Sequence, residues 1–415
     1  MLIKFSIQNF GSIKEKQTLS FEADKSKHLE DYYVIQTNGL RLLKLGLIYG
    51  ANASGKTTVL KAFDFLRTLI LNPKSTKTEI FDDFEPFKFD EYTPTQNTFF
   101  ETEFFQNDVR YLYNVELNNN AIVREELYSC NHQKTNIFKR ITDLQNRFTK
   151  IEFGNKIKID RISLKTLESS TLWNNTVFGG FLKTNIDNKE LMDVTDWFKF
   201  KVFPLVGTGD FYNHHLEKFI SLSEDKMEPQ KSFILDMLKK ADFNINDMII
   251  KKEKEAKFQI DVEHKISGKN YVLPFQKESQ GTKRYYLLTG ILSLLCKTSC
   301  IIPVDELEAS LHPDLFIHFL LSFLVNAKQS QIIAATHNRE ILNNKDIFRN
   351  DAIWITDKNN QSCATELYSL ADFDTNVIKN TTNIFNAYKI GKLGGVPNLG
   401  DYYIDFDNDE NDEKK

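Results

Sequence analysis

The sequence predicts an α/β fold in two parts: a mixed β-sheet with a glycine-rich turn near its start, interrupted by a compact, mainly helical insertion domain. Three patterns predict it. LLKLGLIY, residues 42–49, is a nearly unbroken apolar run that leads through GANASGKT into Val59, Ala62, Phe63, Leu66, Leu69 and Ile70 at helical spacing. From about residue 270 the alternation resumes, with a helix over 282–295, a strand in SCIIPV, a helix over 314–326 and a strand in SQIIAAT. Between them, Gly179, Gly180, Pro204, Gly207 and Gly209 interrupt the chain before heptads can build a long arm. The expected division is a first lobe over 1–125, the helical insertion over 126–262, a second lobe over 263–395 and a tail over 396–415.

Each element follows from its local pattern. MLIKFSIQNF alternates Ile3, Phe5 and Ile7 with Lys4, Ser6 and Gln8, the period of a half-buried strand, and KQTLSFEA (16–23) reads as its partner. The run at 42–49 suits a central strand covered on both faces. TFFETEFF and VRYLYNVEL read as strands rich in Phe and Tyr, with NNN taken as the turn that separates them into a hairpin. Within the insertion, LEKFISLS and KSFILDMLKKA look helical, whereas KIKIDRISLK (156–165) alternates lysines with apolar residues like the wet face of a strand. DFDNDENDEKK is charged and almost free of apolar residues, so it is expected to be disordered.

Composition narrows the function classes. With 415 residues, 41% of them hydrophobic and 34 of them Phe, the chain can fill two or three domain cores. A net charge of −4, from 53 basic and 57 acidic residues, supplies no global field toward nucleic acid or anionic lipid. The sequence shows neither a leader nor an 18-residue apolar run, and four cysteines are too few for a disulfide framework, so a reduced, cytoplasmic protein is expected. Cys296, Cys300 and Cys130 read as core cysteines, because neither Cys296–Cys300 nor Cys130–His132 has a second pair at zinc-site spacing.

The chemistry concentrates in four short segments. Gly50, Ala51, Asn52, Ala53, Ser54, Gly55, Lys56 and Thr57, followed by Thr58, fit G-x4-G-K-[ST] between a strand and a helix. Backbone amides of such a turn curve around phosphate, Lys56 reaches the β and γ phosphates of ATP, and the Thr57 hydroxyl takes one Mg²⁺ position. IIPVDE ends an apolar run with Asp305, a second candidate Mg²⁺ ligand, and Glu306, a candidate general base. In ESQGTKR, Ser279 is a candidate N-cap that opens a second anion site at a helix start. QIIAATHN brings His337 to the carboxyl end of a strand, where it can contact a γ phosphate. A solvated acidic pair, an ordinary cap and a structural histidine are the alternatives one at a time; the order of all four favours a nucleotide site.

This order resembles the ABC-type ATPase heads of the SMC, RecF and OLD group. Gly50 to Thr57 looks like the Walker A motif, Ser279-Gln280-Gly281 the signature, Ile301 to Glu306 Walker B, Ala309 to Pro313 the D-loop and Thr336-His337 the H-loop. The resemblance implies an ABC-type P-loop ATPase head that uses ATP and Mg²⁺, and slow hydrolysis at a composite interface is the mechanism expected. It further implies a homodimer or higher homo-oligomer whose heads sandwich nucleotide, with Ser279 and Gly281 of one copy completing the site of the other. Gly11 stands where these heads often carry an arginine, and Gln96 is the candidate for the Q-loop glutamine.

FEPFKFD (84–90), VRYLYNVEL, VREELY (123–128), TDWFKF (195–200) and YKIGKLGGVPNLGD (388–401) extend the resemblance to short bacterial ATPases of the RloA, AbiL and AriA kind. Such proteins are usually encoded beside a small partner and act in anti-phage defence; in the PARIS system the ATPase assembly senses a phage protein and releases a toxic nuclease. A Toprim-like nuclease is expected in trans, since the acidic tail lacks the alternating strands and helices of a nuclease core. The alternative is a repair or chromosome-associated head that binds DNA directly, for which KIKIDRISLK and the mixed-sign KKEKEAK (251–257) are weak support. A switch that binds nucleotide without turnover is disfavoured by Glu306 and His337. No membrane partner is expected.

Overall fold

The computed structural model describes residues 1–208, 224–241, 243–252, 258–373, 383–397 and 399. The opening strand β1 (Leu2–Gln8) pairs antiparallel with β2 (Gln17–Ser20), Phe5 facing Leu19. On its other edge follow β6 (Thr98–Gln106), β7 (Val109–Leu117), β8 (Ile122–Ser129), β9 (Thr135–Asp143) and β10 (Phe148–Phe153), giving one antiparallel sheet ordered β10-β9-β8-β7-β6-β1-β2. Strict alternation buries Phe100 and Phe104 of β6 and Tyr111, Tyr113, Val115 and Leu117 of β7. Asn107 and Asp108, not NNN, separate the two aromatic strands β6 and β7; NNN instead turns β7 into β8, where Asn118 Oδ1 accepts the amides of Asn120 and Ala121, both at 3.0 Å.

A second sheet is ordered β14 (Ile301–Val304), β15 (Gln331–Ala335), β5 (Leu45–Tyr49), β16 (Ile353–Lys358), β17 (Thr365–Ser369). Its first four strands run parallel, and β17 is antiparallel to β16. Every residue of β5, β14 and β15 is buried, which is why these strands read as continuous apolar runs. The run at 42–49 is two strands: β4 (Leu40–Leu43) forms a hairpin with β3 (Val34–Thr37), and β5 begins after Lys44. Buried Lys44 donates from Nζ to the Leu324 carbonyl at 3.0 Å, so the polar break is satisfied.

The helix Lys56–Leu71 touches β1 of the first sheet and β14 and β15 of the second. Phe63 meets Phe5 edge-on with centroids 5.1 Å apart. The buried Gln331 side chain ties the layers together, its Nε2 donating to Leu2 O and Leu43 O and its Oε1 accepting Leu2 N. The P-loop strand, the acidic strand and the helix between the sheets are thereby fixed to one core.

Residues 126–262 are helical at Arg161–Ser170, Val177–Phe181, Lys189–Asp196 and Glu224–Lys240, but the segment also carries strands. The second half of β8, with β9 and β10, extends the antiparallel sheet of the first lobe. β11 (Asp247–Lys252), β12 (Phe258–Ile266) and β13 (Lys269–Pro274) form a separate antiparallel sheet that runs to the next helix. KIKIDRISLK is not a strand: Asp160 caps the helix from Arg161, its Oδ1 accepting the amides of Ile162 and Ser163 at 2.9 Å. LEKFISLS, the acidic tail and most of KKEKEAK lie outside the described residues. Among those described, no helix is long and apolar enough to cross a membrane.

Candidate functional site

The sheet brings β5 and β14 to the same edge with β15 between them, so the turn after Tyr49, the acidic pair after Val304 and His337 all emerge at the carboxyl ends of parallel strands. Helix Lys56–Leu71 starts at Gly55, which has no side chain to cap it, and its first turn holds no acidic residue. Backbone N–H groups and the positive end of the helix dipole are therefore presented to an anion. Gly55 has φ +106°, and a Cβ there would lie 2.1 Å from Thr365 Oγ1, so both backbone and space require glycine.

Around this turn the side chains interlock. Lys56 Nζ donates to the carbonyls of Gly50 and Ala51, each at 2.9 Å, and burial lowers its pKa against the pull of Asp305, Glu308 and Glu306. Ser54 Oγ lies 2.7 Å from Thr356 Oγ1. Asn52 and Ala53 are exposed at the apex. Thr58 Oγ1 lies 3.0 Å from Ser12 Oγ, so the Gly11–Ser12 corner packs on the helix start.

Thr57 Oγ1 donates to Asp305 Oδ2 at 2.9 Å, joining two segments 248 residues apart. Glu306 is exposed beside it, at φ +45°, with its amide donating to Asp305 Oδ1 at 3.2 Å. His337 N donates to Glu308 Oε1 at 2.5 Å. Burial and the neighbouring Lys56 lower the His337 pKa, favouring neutral imidazole, while Glu308, Glu306 and Asp305 act the other way. A hydroxyl and a carboxylate in contact are oxygen donors suited to Mg²⁺, and the uncapped helix start with Lys56 suits phosphate. The residues present therefore fit a magnesium nucleotide.

Ser279 is the N-cap of helix Gln280–Lys297, as its spacing predicts, with Oγ accepting Thr282 N at 3.1 Å and lying 2.8 Å from Thr282 Oγ1. Ser279 is exposed, and a Cβ at Gly281 would come within 3.0 Å of the Ser310 carbonyl. No hydrogen bond among the described residues joins 279–281 to 50–58. Lys56, Thr57, Asp305, Glu306 and His337 lie at the carboxyl edge of one sheet, and the serine-glycine corner stands against Ser310. Gln96 is an exposed loop residue whose carbonyl accepts from Asn9 at 3.1 Å. Cys300 is buried with Sγ 3.7 Å from Ser330 Oγ, and Cys130, Cys296 and Cys363 are free thiols.

Three contributors carried no role in the sequence reading. Arg284, fully buried one turn into the helix after Ser279, donates from Nη2 to the carbonyls of Asp305 (3.2 Å) and Glu306 (2.9 Å) and from Nη1 to that of Gly207 (3.1 Å). Glu308 holds the His337 backbone. Thr365 donates to Ser12 Oγ at 2.7 Å, and also lies 2.9 Å from Ser54 O, bracing the turn from β17. Only Glu308 had a local signal, as a third acid within DELE.

A comparison with curated proteins finds no match. Among solved structures, an SMC head bound to the C-winged helix domain of ScpA is similar at a TM-score of 0.48 and 12% identity, covering 89% of this chain and 97% of that one. The SMC head domain from Thermotoga maritima is similar at 0.43 and 14%, covering 89% and 98%. An Smc head with an extended coiled coil, bound to the C-terminal domain of ScpA derived from Pyrococcus furiosus, is similar at 0.44 and 11%, covering 94% and 98%. Residues 47–343 match the family described as "AAA domain, putative AbiEii toxin, Type IV TA system", and because this match spans most of the chain, the protein belongs to that family.

Proposed function

We propose that the protein is an ABC-type ATPase that binds and slowly hydrolyses ATP with Mg²⁺. We assign it the role of a nucleotide-dependent sensor and scaffold in cytoplasmic anti-phage defence, controlling an effector supplied in trans, a Toprim-like nuclease. The observation that carries the enzymatic part is the 2.9 Å contact between Thr57 and Asp305 beside an uncapped helix start and Lys56. Membership of a toxin–antitoxin family supports the defence setting.

In this scheme Lys56 and the amides of Gly50 to Thr58 hold the phosphates, and Thr57 and Asp305 hold the metal. Magnesium, when bound, neutralises charge on the phosphate oxygens. Glu306, exposed at the strand end, accepts a proton from the attacking water. His337, neutral and anchored through Glu308, positions the terminal phosphate. Ser279 and Gly281 complete the pocket of a second copy, which accounts for an exposed signature corner apart from its own P-loop. The edge strand β13 leading into Ser279 leaves Tyr271, Val272 and Leu273 about half exposed, apolar surface of the kind an associating chain covers.

The test is a pair of variants of the full chain. Lys56→Ala is expected to lose ATP binding. Glu306→Gln is expected to keep ATP binding, lose at least about 100-fold in turnover and accumulate an associated form with ATP in light scattering. Retained binding in the lysine variant rejects the phosphate site, and unchanged turnover in the glutamine variant removes Glu306 as base.

A further inference from the structure

YKIGKLGGVPNLGD, 388–401, has no part in this scheme, yet its described residues fold directly against the P-loop. The helix Ile384–Lys389 brings the Tyr388 ring edge-on to Tyr49, with centroids 5.9 Å apart. The Arg339 guanidinium, two residues beyond His337, lies 5.6 Å from the centre of the Tyr388 ring. The Tyr388 hydroxyl donates to Gly395 O at 2.8 Å. Burial pushes this hydroxyl up to about 12, and a backbone hydrogen bond from Gly50 is among the contacts that oppose the rise. Tyr368 Oη steadies the same turn by donating to Leu393 O at 3.0 Å.

Gly395 is constrained twice. Its φ is +65°, and a Cβ there would meet Ile355 Cγ2 at 2.7 Å, Thr356 O at 3.1 Å and Gly50 Cα at 3.3 Å. Gly50 is the first P-loop glycine, and its carbonyl is one of the two that Lys56 Nζ holds. A displacement of Gly50 therefore carries the anchor of the phosphate-binding lysine with it. Tyr388 joins three pieces at this point: the end of β5, the segment after His337 and the glycine turn.

We propose that Tyr388 and Gly395 are positioning residues of the nucleotide site, the 391–396 turn acting as a backstop that fixes the Gly50 peptide and so preorganises the P-loop for a triphosphate. The inference rests on the nucleotide reading given above. Preorganised donors bind phosphate without reordering cost, so loosening the backstop weakens nucleotide affinity while leaving the side chains that touch phosphate in place.

The experiment titrates a fluorescent ATP analogue into the full-length protein and its variants, with melting temperature measured without nucleotide. Gly395→Ala is expected to raise Kd about tenfold or more, and Tyr388→Phe, which keeps both ring contacts and loses only the hydroxyl, about threefold or more. Tyr388→Phe is expected to melt close to the unmodified protein, and Ile390→Ser, at an exposed position just before the turn, to leave Kd unchanged. Unmodified Kd in both backstop variants overturns the inference, as does a loss of binding no larger than the unfolded fraction. If Gly395→Ala does not fold, Tyr388→Phe decides alone, an unmodified Kd again overturning the inference. Failure of the unmodified protein to bind the analogue refutes the nucleotide reading itself, and the inference with it.

Discussion

Glu125 shows how one side chain couples the sheet to the inserted helices. It is fully buried, accepting the Tyr113 hydroxyl at 2.9 Å on Oε1 and the Val177 amide at 3.1 and 2.9 Å on its two oxygens. Arg140, also fully buried, donates nearby to the carbonyls of Ile122, Trp173 and Asn175. Burial pushes the Glu125 carboxyl up from the usual 4.5 to about 7, against the opposing pull of Arg140, Val177 and Tyr113. A folded-state pKa above the unfolded one means that the fold binds this proton more tightly. The contribution is thus fully present below about pH 4.5 and lost as pH rises through about 7. Over that window it amounts to on the order of 3 kcal/mol. Glu125→Gln removes the ionisation, so its melting temperature is expected to vary less with pH between about 5 and 8 than that of the unmodified protein. Parallel melting profiles for the two proteins would contradict this.

The helix Gln280–Lys297 does more than display Ser279. Through Arg284 it holds the carbonyls of Gly207, Asp305 and Glu306 at once, so the segment 202–206, bridged to β14, and the acidic turn are tied to this helix. Arg284→Met removes these buried charged donors, although the Glu306 carbonyl keeps the Ala309 amide at 2.9 Å, a cost of about 2–4 kcal/mol. Denaturant midpoints measure that loss; a cost under about 0.5 kcal/mol would show that the helix does not brace the acidic turn. Such links explain what the sequence could and could not disclose. Lys56, Thr57, Asp305, Glu306 and His337 sit in words whose spacing is itself chemical, and Ser279 follows the N-cap rule. Arg284 and Tyr388 act on backbone carbonyls brought close only by the fold, and a backbone contact leaves no residue-type signature. The helical reading of 126–262 missed β9 because that strand inverts hydropathy: Arg140 and Thr142 face inward while Ile141 is 60% exposed. KIKIDRISLK misled in the opposite sense, since a capping Asp160 overrides a short alternation.

At the scale of the whole molecule, a serine-glycine corner that, among the described residues, shares no hydrogen bond with its own glycine-rich turn calls for a mixing experiment. Lys56→Ala removes the phosphate anchor and Ser279→Arg obstructs the exposed helix start, so each variant alone is expected to lack turnover. If each pocket combines the P-loop of one copy with residues 279–281 of another, a dimer of one variant with the other holds one pocket lacking both groups and one intact. Random exchange makes about half of the dimers mixed, so the mixture should recover about a quarter of the unmodified rate, since symmetry assigns each copy one P-loop and one corner. Pockets completed within a single chain would recover nothing, because neither chain carries both intact groups. Steady-state phosphate release at fixed total protein separates these outcomes. The recovered rate should also fall on dilution, as intersubunit catalysis requires association whereas a self-contained head does not.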